Sequence, residues 1–177
     1  MPVLDDCATD VAIRHMEPVD LPRCRELWNI VVRDGVAFPQ TDELDDAEAA
    51  EFFGSQSATR VAELTGEDGK SQVVGLYILH PNNVGRCGHI SNASYAVDPE
   101  MRGRHIGEAL VRDSLDAARS LGFRILQFNA VVASNASARH LYEKIGFTPL
   151  GTIPGGFRLD DGTYEDIVPY IYNLTVE

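Results

Sequence analysis

Two short runs in this 177-residue chain carry residues whose types and spacing suit an anionic ligand. The first, DPEMRGRHIGEAL (Asp98 to Leu110), sets Arg102, Gly103, Arg104, His105, Ile106 and Gly107 just where a helical periodicity begins. The start of a helix leaves N–H groups unpaired and carries partial positive charge, so a glycine-containing turn into one can cradle the phosphates of a nucleotide-type cofactor. Arg102 and Arg104 add cationic donors. The same residues also make an ordinary basic, solvated helix start, and the run alone leaves both readings open. The second run, NASARHLYEKIGF (Asn135 to Phe147), opens on an asparagine suited to an N-cap and holds Tyr142 on a helix face.

Polar residues also interrupt two apolar stretches. In HISNASYAV, Asn92 and Ser94 share a face by period two, and Gln127 and Asn129 break FRILQFNAVV. Asparagine is no base at neutral pH, although it can orient a substrate or a water chain. A structural hydrogen bond between strands suits these residues equally well. His89 offers an imidazole that serves either as a base or as a structural group.

The elements that must position these residues follow from periodicity and punctuation. Residues 10–16 alternate as a first strand. EPVDLPRCRELWNIVVRDG then takes helical spacing at Leu21, Cys24, Leu27, Trp28 and Val31, with Asp20 as N-cap, Pro22 in the first turn and Gly35 as stop. A second helix ends near Gly54. Two strands, TRVAELTG and SQVVGLYILH, are joined by a turn at Glu67-Asp68-Gly69-Lys70. The strand His89–Val97 leads into the arginine-glycine turn, and Leu110, Val111, Leu115, Ala118 and Leu121 mark a helix closed by Gly122.

Phe123–Val132 reads as a strand parallel to the preceding one and covered on both faces. A helix follows from Asn135 to Gly146, with Ala138, Leu141 and Ile145 on one side. Two last strands, around 147–151 and 165–174, flank a loop IPGGFRLDDGTY. The order is β-α-α-β-β-β-α-β-α-β-β, an α/β fold. The unit from His89 to Val132 makes a crossover with its turn at the carboxyl end of a strand, where open α/β sheets bind ligands.

Composition narrows the function classes. A chain 44% hydrophobic and 24% charged buries one core, so a single domain over residues 1–177 is expected. With 27 acidic against 15 basic residues the net charge is -12, which repels a nucleic-acid backbone. No apolar run approaches the roughly 18 residues of a membrane span, and the first residues are acidic. Cys7, Cys24 and Cys87 are widely spaced and without a CxxC pair, which suits free thiols in a cytoplasm. No metal constellation stands out. The acidic run Thr41–Glu51 reads as a solvated helix face rather than a site for a polyamine or basic peptide.

Together, A-V-D-P-E-M-R-G-R-H-I-G and N-A-S-A-R-H-L-Y-E-K-I-G-F resemble the GNAT superfamily of acetyl-CoA-dependent N-acetyltransferases. That pattern is [QR]-x-x-G-x-[GA] after a V-x-P strand end, followed by N-x-x-A-x-x-x-Y-x-x-x-G-F. The resemblance is close over about Ile90 to Gly151, and the element order extends it over most of the chain. It implies a GNAT fold, a mixed central sheet whose fourth and fifth strands are parallel and splayed, with acetyl-CoA as co-substrate and no metal. Backbone amides from Gly103 to Gly107, those of Arg104, His105 and Ile106 included, would then bind the CoA pyrophosphate, with Arg102 at the family's Gln/Arg position. The peptide groups near Ala96 and Val97 would pair with the pantetheine arm, and an amide there would stabilise the oxyanion. Asn135 would bond the cofactor arm, and Tyr142 would protonate the departing thiolate. Relatives often form dimers, and edge strands here would permit a homodimer.

His105 departs from the pattern, which has glycine at that position. A left-handed conformation would cost a non-glycine residue about 1–2 kcal/mol. The expectation is therefore a helical His105 whose amide still faces the phosphates while its ring points outward.

The acceptor is less explicit. An amine with a lysine-like pKa near ~10.4 must lose a proton before attack, and many relatives place a glutamate on the strand before the loop. This chain has none there. G-R-C-G-H-I-S-N-A, with F-N and S-N-A further on, is similar to fungal acetyltransferases acting on azetidine-2-carboxylate, a proline analogue. That finer resemblance implies a small amino acid held by Asn92 and Asn129. Two alternatives stand beside it. One is a protein N-terminus or cationic amine in a wider cleft shaped by the acidic run and Gly155-Gly156; the other is a CoA-binding module without turnover.

Overall fold

The strands that alternate or bury both faces assemble one mixed sheet. Among residues 11–66 and 68–175, which the computed structural model describes, β1 (Val11–His15) pairs antiparallel with β2 (Ala58–Thr65), and β2 with β3 (Ser71–Pro81). The expected turn between them closes with Gly66 N–H on Lys70 O at 2.8 Å and Lys70 N–H on Asp68 Oδ1 at 3.1 Å. Glu67 of that turn, Asp10 of the expected first strand and Cys7 lie outside the described residues. Every residue from Val73 to Leu79 is buried, so β3 carries core on both faces. Next comes β4 (Ile90–Val97), antiparallel to β3, and then β5 (Ile125–Val132), parallel to β4.

One face is covered by α1 (Leu21–Asp34) and α2 (Asp46–Gly54). Helix α1 buries Cys24, Leu27, Trp28 and Val32 at helical spacing and stops at Gly35, φ 63°. Asp20 holds the N-cap position without capping. Its carboxylate accepts from the Arg14 guanidinium at 2.7 and 3.0 Å and from the Glu17 amide at 2.8 Å, contacts that hold it below its ordinary pKa. The acidic run supplies a capping box to α2, Asp45 with Glu48, and its apolar Ala49 and Phe53 pack on Trp28. Phe38, in the loop between the helices, stacks on Trp28 at 4.3 Å and anchors that loop.

The opposite face carries α3 (Ile106–Ser120), which crosses from β4 to β5 and buries Ile106, Leu110, Val111, Leu115 and Ala118. Beside it, α4 (Ala136–Ile145) packs Leu141, Tyr142 and Ile145 on the same core. Then follow β6 (Thr148–Pro149), β7 (Ile153–Arg158) and β8 (Tyr164–Asn173), in the sheet order β1-β2-β3-β4-β5-β8-β6 with β7 on β8.

Eight strands form where seven were expected, because IPGGFR is strand rather than loop. Glycines there mark close backbone approach, not a break: a Cβ on Gly156 would lie 2.5 Å from Ile167 Cγ1. The Gly155 amide donates to Asp166 Oδ1 at 2.9 Å, and the register shifts across the pair.

Strands β4 and β5 pair only at Ile90 with Ile125 and Ser91 with Leu126, then part. The Ser91 hydroxyl ties the closed end by donating to Ile125 O at 3.0 Å. Against β8 the register of β5 shifts between Phe128 and Val131, a bulge that bends the strand away. Tyr95 wedges against Phe128 with centroids 5.8 Å apart and hydrogen-bonds Ser114 of α3 at 2.7 Å. The expected cover on both faces of β5 fails at Asn129, which is exposed because it faces the gap. No helix among the described residues is long and apolar enough to cross a membrane.

Candidate active site

The V-shaped gap between β4 and β5 holds two adjoining cavities. The inner one, about 390 Å³, lies between His80, Asn92 and Ser94 on one side, Asn129 on the other, and the Ala37–Gln40 loop. The outer one, about 670 Å³, is bounded by Val97, Arg102, Ser134, Ser137 and Leu141. Asn135, Ala138, Tyr95 and Ala37 line both, so the two are continuous along one wall.

Hydrogen-bond alternation decides which main-chain groups of β4 face the gap. The Asp98 amide donates to Val74 O at 2.9 Å and the Asn82 amide to Ile90 O at 2.8 Å, so the even-numbered residues of β4 spend their polar groups on β3. Those of Ala93, Tyr95 and Val97 turn the other way, toward the gap. Val97 thus leaves its main-chain groups free of β3. Those of Ala96 are not free: its N–H and C=O pair with Leu76, and its side chain is core. Beyond β4, Asp98 is paired with Arg23 of α1 and accepts from the Glu100 amide at 2.9 Å, which fixes the turn into α3.

At that turn the first intrahelical bond runs from Ala109 N–H to His105 O at 3.0 Å, and His105 provides no side-chain cap. The amides of Ile106, Gly107 and Glu108 at the first turn therefore remain as donors. Gly107 stays bare on that turn. A Cβ there would make only ordinary contact with Leu141 Cδ2 at 3.8 Å, so packing does not require glycine at this position. Ile106 is a core side chain that contributes only its amide, and Arg104 lines neither cavity while Arg102 lines the outer one. Glu108, at the same turn, bonds Lys144 at 2.7 Å and Arg112 at 2.8 Å, and these partners, Lys144 first, hold its carboxyl down to about 2. Its charge is matched within the protein.

The helical conformation expected of His105 does not occur. The helix begins one residue later, at Ile106, and His105 is left-handed at φ 57° and ψ 14°, following Gly103 at φ 79°. The chain turns twice through this region to enter the helix, and histidine is among the non-glycine residues that tolerate it. The ring does point outward: its side chain is 81% exposed, with Nδ1 3.9 Å from Glu108. Relief of this strain in His105→Gly is expected to raise stability by about 0.5–1 kcal/mol, or a melting temperature by roughly 2 °C in a thermal scan.

Tyr142 lines the inner cavity from α4, its ring 4.5 Å from Phe128 and 5.7 Å from Phe147. Burial, with Tyr170 beside it, pushes its phenol well above the ordinary tyrosine value, so it stays protonated at neutral pH. The helix that carries it is latched by Arg139, which donates to Tyr170 Oη at 3.1 Å and Ala133 O at 3.2 Å, and by Tyr170 on Glu143 at 2.7 Å. Asn135 caps α4 by accepting from the Ala138 amide at 3.2 Å while lining both cavities, so capping the helix does not remove it from the gap.

Asn92 and Asn129 do come together, through a residue that sequence reasoning passed over. Asn82 and Asn129 exchange hydrogen bonds of 2.6 and 3.0 Å, and Asn92 Nδ2 reaches Asn82 Oδ1 at 3.4 Å. Gln127 adds a donor to Asn129 at 2.9 Å. His89 lies outside this group, exposed before β4 begins; the histidine at the cavity is His80. Neither Asn82 nor His80 carried a local signal, since only strand pairing brings them to the gap. Of the two described cysteines, Cys24 is buried with its thiol pushed up to about 12 by desolvation, and Cys87 is exposed. Among the described residues no cluster of His, Cys, Asp or Glu could hold a metal.

Residues 22–147 match the acetyltransferase (GNAT) family. The solved structure of a GCN5-related N-acetyltransferase from Kribbella flavida has a TM-score of 0.82 at 32% identity, over 92% of this chain and 97% of that one. N-acetyltransferase aca1 of Schizosaccharomyces pombe is 36% identical over 108 residues, 60% of this chain and 52% of that protein, so the match spans about half the relative's length. A GNAT superfamily phosphinothricin acetyltransferase from Sinorhizobium meliloti, solved in complex with AcCoA, shares the fold with a TM-score of 0.82 at 23% identity, over 92% of this chain and 88% of that one. The splayed parallel pair, the bare helix start and the matched relatives converge: this chain belongs to the acetyltransferase (GNAT) family.

Proposed function

We propose that the chain is an N-acetyltransferase that moves the acetyl group of acetyl-CoA to the amine of a small molecule, such as an amino acid or proline analogue. The observation that carries this reading is the joined pair of cavities in the β4–β5 gap, with Arg102, at the turn into α3, lining the outer one and Tyr142 the inner one. The amides of Ile106 and Gly107, with Arg102, suit a pyrophosphate, and the free edge of Val97 suits an extended amide-bearing arm. Acetyl-CoA supplies the activated acyl group. The chain's own part is to align it along β4, offer a strand amide to the carbonyl oxygen as that atom gains charge, and give the thiolate a proton from Tyr142.

The inner cavity favours a small acceptor over a polycation. Among the described residues neither a carboxylate nor an Arg or Lys side chain lines it; its polar groups are the amides of Asn92, Asn129, Asn135 and Gln40, with Ser94, His80 and the phenols of Tyr95 and Tyr142. Such a surface gives the several ammonium groups of a polyamine no counter-charge, whereas a zwitterion has no net charge and finds amide donors and acceptors for both of its ends. The acidic run does not reach it: Glu43 pairs with Arg33 and Asp46 with Arg25, each at 2.7 Å. Gly155 and Gly156 lie in β7 and line neither cavity. The resemblance to enzymes acting on azetidine-2-carboxylate points the same way.

Calorimetric titration with acetyl-CoA should show saturable binding, and no binding would overturn the reading. Thiol release should then appear with azetidine-2-carboxylate or proline and not with spermidine or an aminoglycoside. Binding without release for every amine would instead make the chain a CoA-binding module.

A further inference from the structure

Among the described residues, the inner cavity is lined by no carboxylate of the kind that would ordinarily deprotonate an ammonium group, yet it holds one imidazole; Asp34 lines only the outer cavity. On the acetyl-transfer reading above, we propose that His80 is the base that takes the acceptor's proton. His80 sits near the end of β3 directly opposite Asn92, and cross-strand partners project to the same face, so the ring lines the cavity beside that amide. Nδ1 lies 2.9 Å from Pro81 O. A carbonyl only accepts, so Nδ1 carries the hydrogen of the neutral ring and Nε2 keeps its lone pair. That bond also fixes the ring's orientation, and the Asn82–Asn129–Asn92 amides hold the neighbouring wall.

Among the described residues, the other titratable side chains lining this cavity are Tyr95 and Tyr142. Tyr95 is bonded to Ser114 on the α3 side, and burial raises both phenols well above their ordinary values, so neither accepts a proton at neutral pH. The Ala37–Gln40 loop, β5 and α4 contribute no charged group to its lining.

The step balances. An ammonium proton passes to Nε2 and on to solvent, and the freed amine attacks the thioester carbon. An N–C bond forms as the C–S bond breaks, and Tyr142 protonates the thiolate. The second proton shed by nitrogen as the amide forms restores the phenol. One proton is released overall.

The test uses His80→Asn, whose side-chain amide preserves a donor to Pro81 O while removing the basic nitrogen. Wild type and variant are compared across pH with L-azetidine-2-carboxylate, or with the panel amine that wild type turns over fastest. At neutral pH the variant should be slower by about 100-fold, with acetyl-CoA affinity and melting temperature unchanged. The difference should shrink as alkaline pH supplies the free amine directly. Equal rates at neutral pH, a loss that stays uniform across pH, or lost acetyl-CoA binding would each overturn the assignment. A wild type that binds acetyl-CoA but turns over no amine overturns the transfer reading itself, and the base with it.

Discussion

Tyr142→Phe should lower kcat by about 100-fold or more while leaving acetyl-CoA affinity within about twofold. The substitution keeps the ring, and with it the contacts to Phe128, Phe147 and Tyr170 that hold α4 on the core. Only the hydroxyl goes. A packing role alone would therefore leave turnover intact, whereas a proton donor to the thiolate cannot be replaced by a C–H group. The raised phenol pKa fixes the sign of the pH dependence. An acid works in its protonated form, so the rate should show no falling limb from this group below about pH 10, the ordinary tyrosine value, and should rise with pH as the amine deprotonates. A falling limb near neutrality that vanishes in Tyr142→Phe would contradict the raised value.

The second large effect is expected at Gly107→Asp. A carboxylate about 6 Å from a phosphate charge, at an effective dielectric constant near 20, costs about 2.8 kcal/mol, or roughly 100-fold in affinity for acetyl-CoA. Stability should stay the same or rise slightly. The added side chain meets only Leu141 at ordinary contact distance, and an acidic residue is favourable in the first turn of a helix. That combination separates the two readings the arginine-glycine run left open. A solvated helix start would bind acetyl-CoA equally in both proteins; a phosphate cradle would lose it in a protein that folds as before.

How far the site was legible follows from how local each signal is. The Asn135 cap, the Gly146 stop and the Gly35 stop are set by neighbours within a few residues, and all formed where their residues suggested. His105 misled because sterics make a left-handed histidine unfavourable taken alone, while the chain's path from β4 into α3 requires it. IPGGFR misled because glycine weakens an isolated strand, yet β8 approaches so closely there that a side chain would collide with Ile167. Ala96 and Val97 are adjacent and equally plausible in one dimension; pairing with β3 takes the main-chain groups of one and leaves those of the other.

The sequence by itself determined the element order through α4, the helix that begins just after the arginine-glycine turn, and the tyrosine that follows at family spacing. These depend on periodicity, capping and backbone preference, which act over a few residues. Only the tertiary structure decided that the gap opens beyond Ser91, that Asn82 joins Asn92 to Asn129, and that His80 rather than His89 faces the cavity. Those facts depend on strand register and on a bulge in β5, and register is a relation between segments far apart in the chain.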